Sequence, residues 1–219
     1  MRTRAAHRGA VGSSCQTDAM VLPDVVLTAA LAIFLFLALC AALVLVIVSL
    51  RKPADIPLIV AGVLVVLCLL AVTVSPVNVP LLLGLGIALL GTALAVLGGN
   101  PITRRILDVA SHGRVEEGDN GGILLRAPSV PGAVAGEGSG AVREVMRGGT
   151  TIGYLERVAV VLGIIAGFPE AIAVVVALKG IGRFSELASA EARERFIIGT
   201  LASLVWACVV GALVRLAIW

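Results

Sequence analysis

Residues 25–50 read VVLTAALAIFLFLALCAALVLVIVSL, and residues 56–103 read IPLIVAGVLVVLCLLAVTVSPVNVPLLLGLGIALLGTALAVLGGNPIT. Neither stretch holds an ionisable side chain apart from Cys40 in the first and Cys68 in the second. A helix crosses about 30 Å of hydrocarbon with roughly 20 mostly apolar residues. A soluble core cannot absorb apolar runs of this length. Charged residues are 14% of the chain, against about 25% in soluble domains, and they are gathered between the apolar runs. The expected fold class is therefore all-α, a polytopic helical membrane protein.

The formal charge of +3 does not point to nucleic acid. The arginines and lysines stand at the ends of apolar runs, where they anchor helices and set orientation. An aromatic content of 4% supplies no stacking platform. Of the four cysteines, Cys40, Cys68 and Cys208 lie inside apolar runs, and no C-x-x-C spacing occurs. They read as small apolar filler, with no disulfide framework or metal site. His7 and His112 have no ligand-like or triad-like spacing. Gly136-Glu137-Gly138-Ser139-Gly140 lacks the lysine of a phosphate loop. No catalytic, metal or cofactor-binding residue is expected, and the expected cofactors are none.

Working outward, residues 1–19 read as a polar, disordered tail, and Met20 directly ahead of the apolar run is an alternative start. Residues 20–98 read as a three-helix membrane region. Its helices run from about Pro23 to Leu50, Ile56 to Val74 and Leu81 to Leu97. Arg51-Lys52-Pro53 ends the first, the two prolines of 75–80 separate the second from the third, and Gly98-Gly99-Asn100-Pro101 closes the third. Residues 99–151 form a glycine-rich loop opened by a short amphipathic helix at 102–109 that lies at the membrane interface. Its composition predicts disorder, with Ile123-Leu124-Leu125 as the one patch able to form a strand.

Residues 152–219 make the C-terminal membrane region. Two geometries fit 157–179. A single kinked helix gives five membrane helices and drives Glu170 deep into the bilayer. A hairpin turning at Gly167-Phe168-Pro169 gives about six, with Gly167 at a helix C-terminus, and Pro169 and Glu170 in the first turn of the next. The hairpin is preferred because it keeps Arg51, Lys52, Arg104, Arg105, Arg147, Arg157, Lys179 and Arg183 on one side. That side is then cytoplasmic, with both termini outside. Its arms are short for a full crossing.

Glu156, Arg157, Glu170, Lys179 and Arg183 are the ionisable groups within or beside this weakest membrane segment, and intramembrane charge marks a candidate site. The structural alternative pairs Glu156 with Lys179 at the hairpin base and lets the arginines snorkel to headgroups. In the last helix, about Phe196 to Leu216, Gly199, Ser203, Ala207 and Gly211 recur every four residues, the pattern of a helix-packing seam. Gly84, Ala88, Gly91 and Ala95 repeat it more loosely on the third helix.

Three further stretches carry a resemblance: Ile152-Gly153-Tyr154-Leu155-Glu156-Arg157; Ala177-Leu178-Lys179 through Arg183-Phe184; and Glu194 through Gly199-Thr200 to Ser203. Together they resemble a family of bacterial inner-membrane proteins of unknown function with an IGxLER…AKxxxRF…ExxxxGTxxS pattern. Leu178 stands where that pattern has alanine. The resemblance covers about a quarter of the chain and implies a bacterial multi-pass membrane protein without assigning a reaction. The expected partners are the lipid bilayer and a second copy or another membrane protein, with no nucleic acid. A non-enzymatic scaffold or interaction subunit is the expected function. The alternative is a small transporter or channel component whose charged hairpin lines the path.

Overall fold

The computed structural model describes residues 14–51, 55–74, 79–111, 124–125, 143–144, 149–182 and 190–219. Six helices account for nearly all of them: α1 (Ser14–Arg51), α2 (Asp55–Val74), α3 (Leu81–Ser111), α4 (Gly149–Ile165), α5 (Ala171–Gly182) and α6 (Ala190–Ile218). The chain is all-α and polytopic. Within these helices, Val26–Arg51, Asp55–Val74, Leu81–Ala110 and Arg193–Ile218 are long and apolar enough to cross a membrane. Two-residue strands β1 (Leu124–Leu125) and β2 (Arg143–Glu144) pair antiparallel, Leu124 opposite Glu144. The rest of the glycine-rich segment, the tail at 1–13 and Arg183 lie outside the described residues.

Two boundaries differ from the sequence expectation. Helix α1 begins at Ser14 instead of near Pro23, so 14–19 belong to a helix and not to a disordered tail. No glycine interrupts 14–22, and the helix runs on through Pro23, although a proline there removes one backbone bond and crowds the carbonyl four residues back. Helix α3 does not stop at Leu97. It runs unbroken through Gly98-Gly99-Asn100-Pro101 to Ser111, so the amphipathic 102–109 segment is its last turns and not a separate helix. The physical reason lies in packing on α6. An added Cβ at Gly98 would stand 2.9 Å from the Trp206 ring, and Gly199 faces Leu107 and Thr103, so contacts on both sides of Pro101 hold the helix in line.

Helix α6 is the centre of the bundle and packs on α2, α3 and α4, while α1 packs on α2 and α3. The α3–α6 contact is antiparallel. Gly84 meets Ile218, Gly91 meets Val214 and Val210, Gly98 meets Trp206, and Gly199 meets Leu107. Glycine at 91 is required by contact, because a Cβ there would overlap Val214 Cγ2. Lipid tails are as apolar as leucine, so close packing of this kind, and not burial from water, drives helix association. The core residues Leu94, Ala95, Ala207, Val210, Leu213 and Val214 fill the seam, with Val160 and Val161 of α4 beside them.

Helices α4 and α5 form the hairpin, so 157–179 is two helices and not one kinked helix. Gly167 takes φ +79°, a conformation that costs a side-chain-bearing residue about 1–2 kcal/mol. The chain then reverses through bonds from Phe168 N to Gly163 O and from Ala171 N to Phe168 O, at 2.8 and 3.2 Å. Gly163 lets the arms meet, since its Cβ would stand 2.9 Å from that of Ala171.

Candidate functional site

Arg157 is 2% exposed and Glu156 9%, although neighbours on a helix point in different directions. Both are buried because α4 is wedged between α3 and α6 on one side and α5 on the other. Arg157 faces the first pair. Its Nε donates to the Val96 carbonyl at 3.0 Å, its Nη1 to Ser203 Oγ at 2.9 Å and its Nη2 to Asn100 Oδ1 at 2.7 Å. Its guanidinium carbon lies 5.3 Å from the centre of the Tyr154 ring, one turn back on α4. The side chain lies flat on Gly99, whose Cβ would overlap Arg157 Cδ. The planar fork suits this place, because three acceptors on two helices are met by one rigid group. Arg157 therefore does not snorkel to headgroups. The bundle supplies its acceptors nearer than the interface does.

Glu156 faces α5. Lys179 Nζ donates to its Oε2 at 2.5 Å, with both side chains largely covered. The ammonium also lies 6.0 Å from the Phe196 ring centre on α6, so the pair closes the base of the hairpin against the central helix. Glu156 Oε1 is buried without a hydrogen-bond partner, as is Thr103 Oγ1. A buried pair of this kind is costly to break from one side, because the remaining charge loses its partner. Glu170 stands at the other end, exposed in the turn ahead of α5.

The four seam residues divide between two neighbours. Gly199 faces Leu107 and Thr103 of α3, and Gly211 faces Ile164 of α4 at 3.1 Å. Ser203 takes the Arg157 bond and Ala207 is fully buried. The seam is thus used within the chain.

Sequence reading missed three participants. Arg215 Nη1 donates to the Ile164 and Ile165 carbonyls at 2.9 and 3.3 Å, so it caps the C-terminus of α4 from the last turn of α6. Its signal was available: it is the one charge between Phe196 and Trp219. Asn100 and Gly99 look in sequence like helix-breaking punctuation, and only the arrival of Arg157 from elsewhere gives them a role. Outside the hairpin, Arg105 pairs with Asp55 at 2.7 Å, half-exposed, which puts the start of α2 and the end of α3 at the same level.

The arrangement holds charge in place, and among the described residues it sets no nucleophile beside a base. No family model, curated protein or solved structure matches this chain.

Proposed function

We propose that this protein is a non-enzymatic membrane scaffold or interaction subunit, multi-pass in the bacterial inner membrane, with the end of α3 and the segment from there to 151 on the cytoplasmic side. The observation that carries the reading is the fate of the hairpin's charges. Arg157 spends its guanidinium on Val96, Asn100 and Ser203, Lys179 spends its ammonium on Glu156, and Arg215 caps α4. Groups committed to internal partners fasten helices together, whereas a solute path needs groups free to exchange partners. Arg105 pairs with Asp55 at the end of the bundle where α1 and α3 end and α2 and α6 begin. By the positive-inside rule the arginines there, Arg51, Arg104, Arg105, Arg193 and Arg195, support a cytoplasmic side for it. The IGxLER…AKxxxRF…ExxxxGTxxS resemblance supports the bacterial assignment.

A second reading rests on Glu156 Oε1, buried and without a partner. An unsatisfied carboxylate oxygen beside an ammonium suits a small transporter or channel component. Crosslinking in native membranes followed by affinity purification tests the first reading. The expected result is a specific membrane protein, or a second copy, joined through the outer face of α5 or the segment between α3 and α4. Crosslinks confined to the chain itself, together with ion flux in proteoliposomes that Glu156→Gln abolishes, would establish the second reading instead.

A further inference from the structure

The hairpin does not reach as far as the helices around it. Arg105, paired with Asp55, marks the basic end of the bundle. From Arg105 along α3 to Gly91 is about 21 Å at 1.5 Å per residue. Gly91 is level with Val210 and Val214, and Gly211 is level with Ile164. Helices α4 and α6 climb together, since Arg157 meets Ser203 and Ile164 meets Gly211. Ile164 therefore stands about 21 Å above the ion pair, and the turn at 166–170 adds no more than about 5 Å. Over the same climb α2 rises about 29 Å from Asp55 to Val74, and α6 continues about 12 Å from Gly211 to Trp219. The tip falls about 3 Å short of the end of α2 and about 7 Å short of the end of α6.

What lies at that depth is not suited to hydrocarbon. Residues 166–170 are all exposed on the surface of the bundle, and they include a non-helical turn and the Glu170 carboxylate. Arg215 satisfies the Ile164 and Ile165 carbonyls from the protein side, which leaves the outer side of the turn open. Irregular backbone is not tolerated against acyl chains, and a short span is accommodated by local thinning of the bilayer. No protein wall stands over the tip among the described residues: α5 packs chiefly on α4 and has no buried residue.

We infer that the hairpin thins the leaflet opposite the basic end by about 7 Å relative to the end of α6, drawing phospholipid headgroups and their water down to Glu170. The interaction surface is the turn at 166–170, and its partner is the lipid headgroup layer. The inference needs only that α1, α2, α3 and α6 span the bilayer, and stands independently of the scaffold reading.

The test measures depth. Full-length protein with Cys15, Cys40, Cys68 and Cys208 replaced by alanine is spin-labelled at Phe168→Cys or at Trp219→Cys in phosphatidylcholine vesicles. Collision with oxygen and with a water-soluble nickel chelate gives the depth of each label. Both labels are expected at headgroup depth. A Phe168 label about 7 Å deeper than the Trp219 label, rich in oxygen and closed to the chelate, would show a flat leaflet and overturn the inference. A label closed to both reagents would show protein over the tip, a second copy for instance, and would overturn it equally. Wild-type protein without substitutions gives an independent reading. Its thermal stability should fall from short-chain to long-chain phosphatidylcholine, and Glu170→Leu should fall less steeply. Identical slopes for the two would also overturn the inference.

Discussion

The two arms of the hairpin are alike in composition and opposite in environment. Helix α4 carries Val158 through Ile165 and α5 carries Ala171 through Leu178, both nearly pure aliphatic runs. Yet Val160 and Val161 are fully buried between α3 and α6, whereas α5 buries nothing and turns Val174, Leu178 and Ile181 outward. Apolar content does not separate protein-facing from lipid-facing helices in a bilayer, because both surroundings are apolar. Polar content does. The arm that entered the bundle carries Arg157, whose acceptors lie on α3 and α6, whereas Lys179 of the other arm pairs back onto α4.

The widest gap between the arms should appear on removing the guanidinium. Arg157→Ala leaves Asn100, Ser203 and the Val96 carbonyl without their donor and opens a cavity, so a loss of about 3 kcal/mol is expected in detergent unfolding. Arg157→Lys should recover only part, since a single ammonium cannot span three acceptors set around a plane. A loss below about 0.5 kcal/mol for Arg157→Ala would erase the distinction between the arms.

Glycines sharpen the same contrast at smaller scale. Gly99→Ala drives a methyl into Arg157 and Gly91→Ala drives one into Val214, and each should cost about 1–3 kcal/mol. On α5, nothing lies within 4 Å of a Cβ added to Gly180, so Gly180→Ala should be neutral or stabilising by up to about 1 kcal/mol. Equal effects at Gly99 and Gly180 would mean that α5 is covered by something in the membrane.

The bond between the arms is a third measure. Glu156→Gln and Lys179→Gln should each destabilise, and the double variant should cost less than the two singles together, with a coupling of about 0.5–3 kcal/mol. Strict additivity would mean the pair is not formed in the bilayer. The smallest effect is expected at Leu178→Ala on the outer face of α5, under about 0.5 kcal/mol, against about 1 kcal/mol or more for Val161→Ala in the packed arm.

The hairpin was legible because its turn is written locally. Gly167, Pro169 and Glu170 each suit a different position around a helix reversal, and the spacing of Glu156 and Lys179 about Phe168 places them at one depth. The continuity of α3 was not legible. Gly98-Gly99-Asn100-Pro101 is a sound local stop signal, and what overrides it comes from residues about a hundred positions later, Trp206 and Gly199. Arg157 was seen as a candidate but given the wrong surroundings for the same reason. Snorkelling is the default for an arginine whose acceptors cannot be found nearby in sequence, and its acceptors here lie 46, 57 and 61 residues away.

Those separations also set an order of assembly during synthesis. Asn100 and Val96 have already left the ribosome when Arg157 emerges, but Ser203 follows 46 residues afterwards, a delay of a few seconds at about 5–20 residues per second. For that interval α4 carries a charge whose binding place is two-thirds built, and α5 supplies Lys179 to Glu156 before α6 supplies anything to Arg157. The hairpin should therefore wait as a unit beside α3 and lock only when α6 arrives. Nascent chains arrested at stepped lengths would reveal this as protease protection of α4 that appears once Ser203 has cleared the exit tunnel, and protection gained earlier would place the locking step before α6.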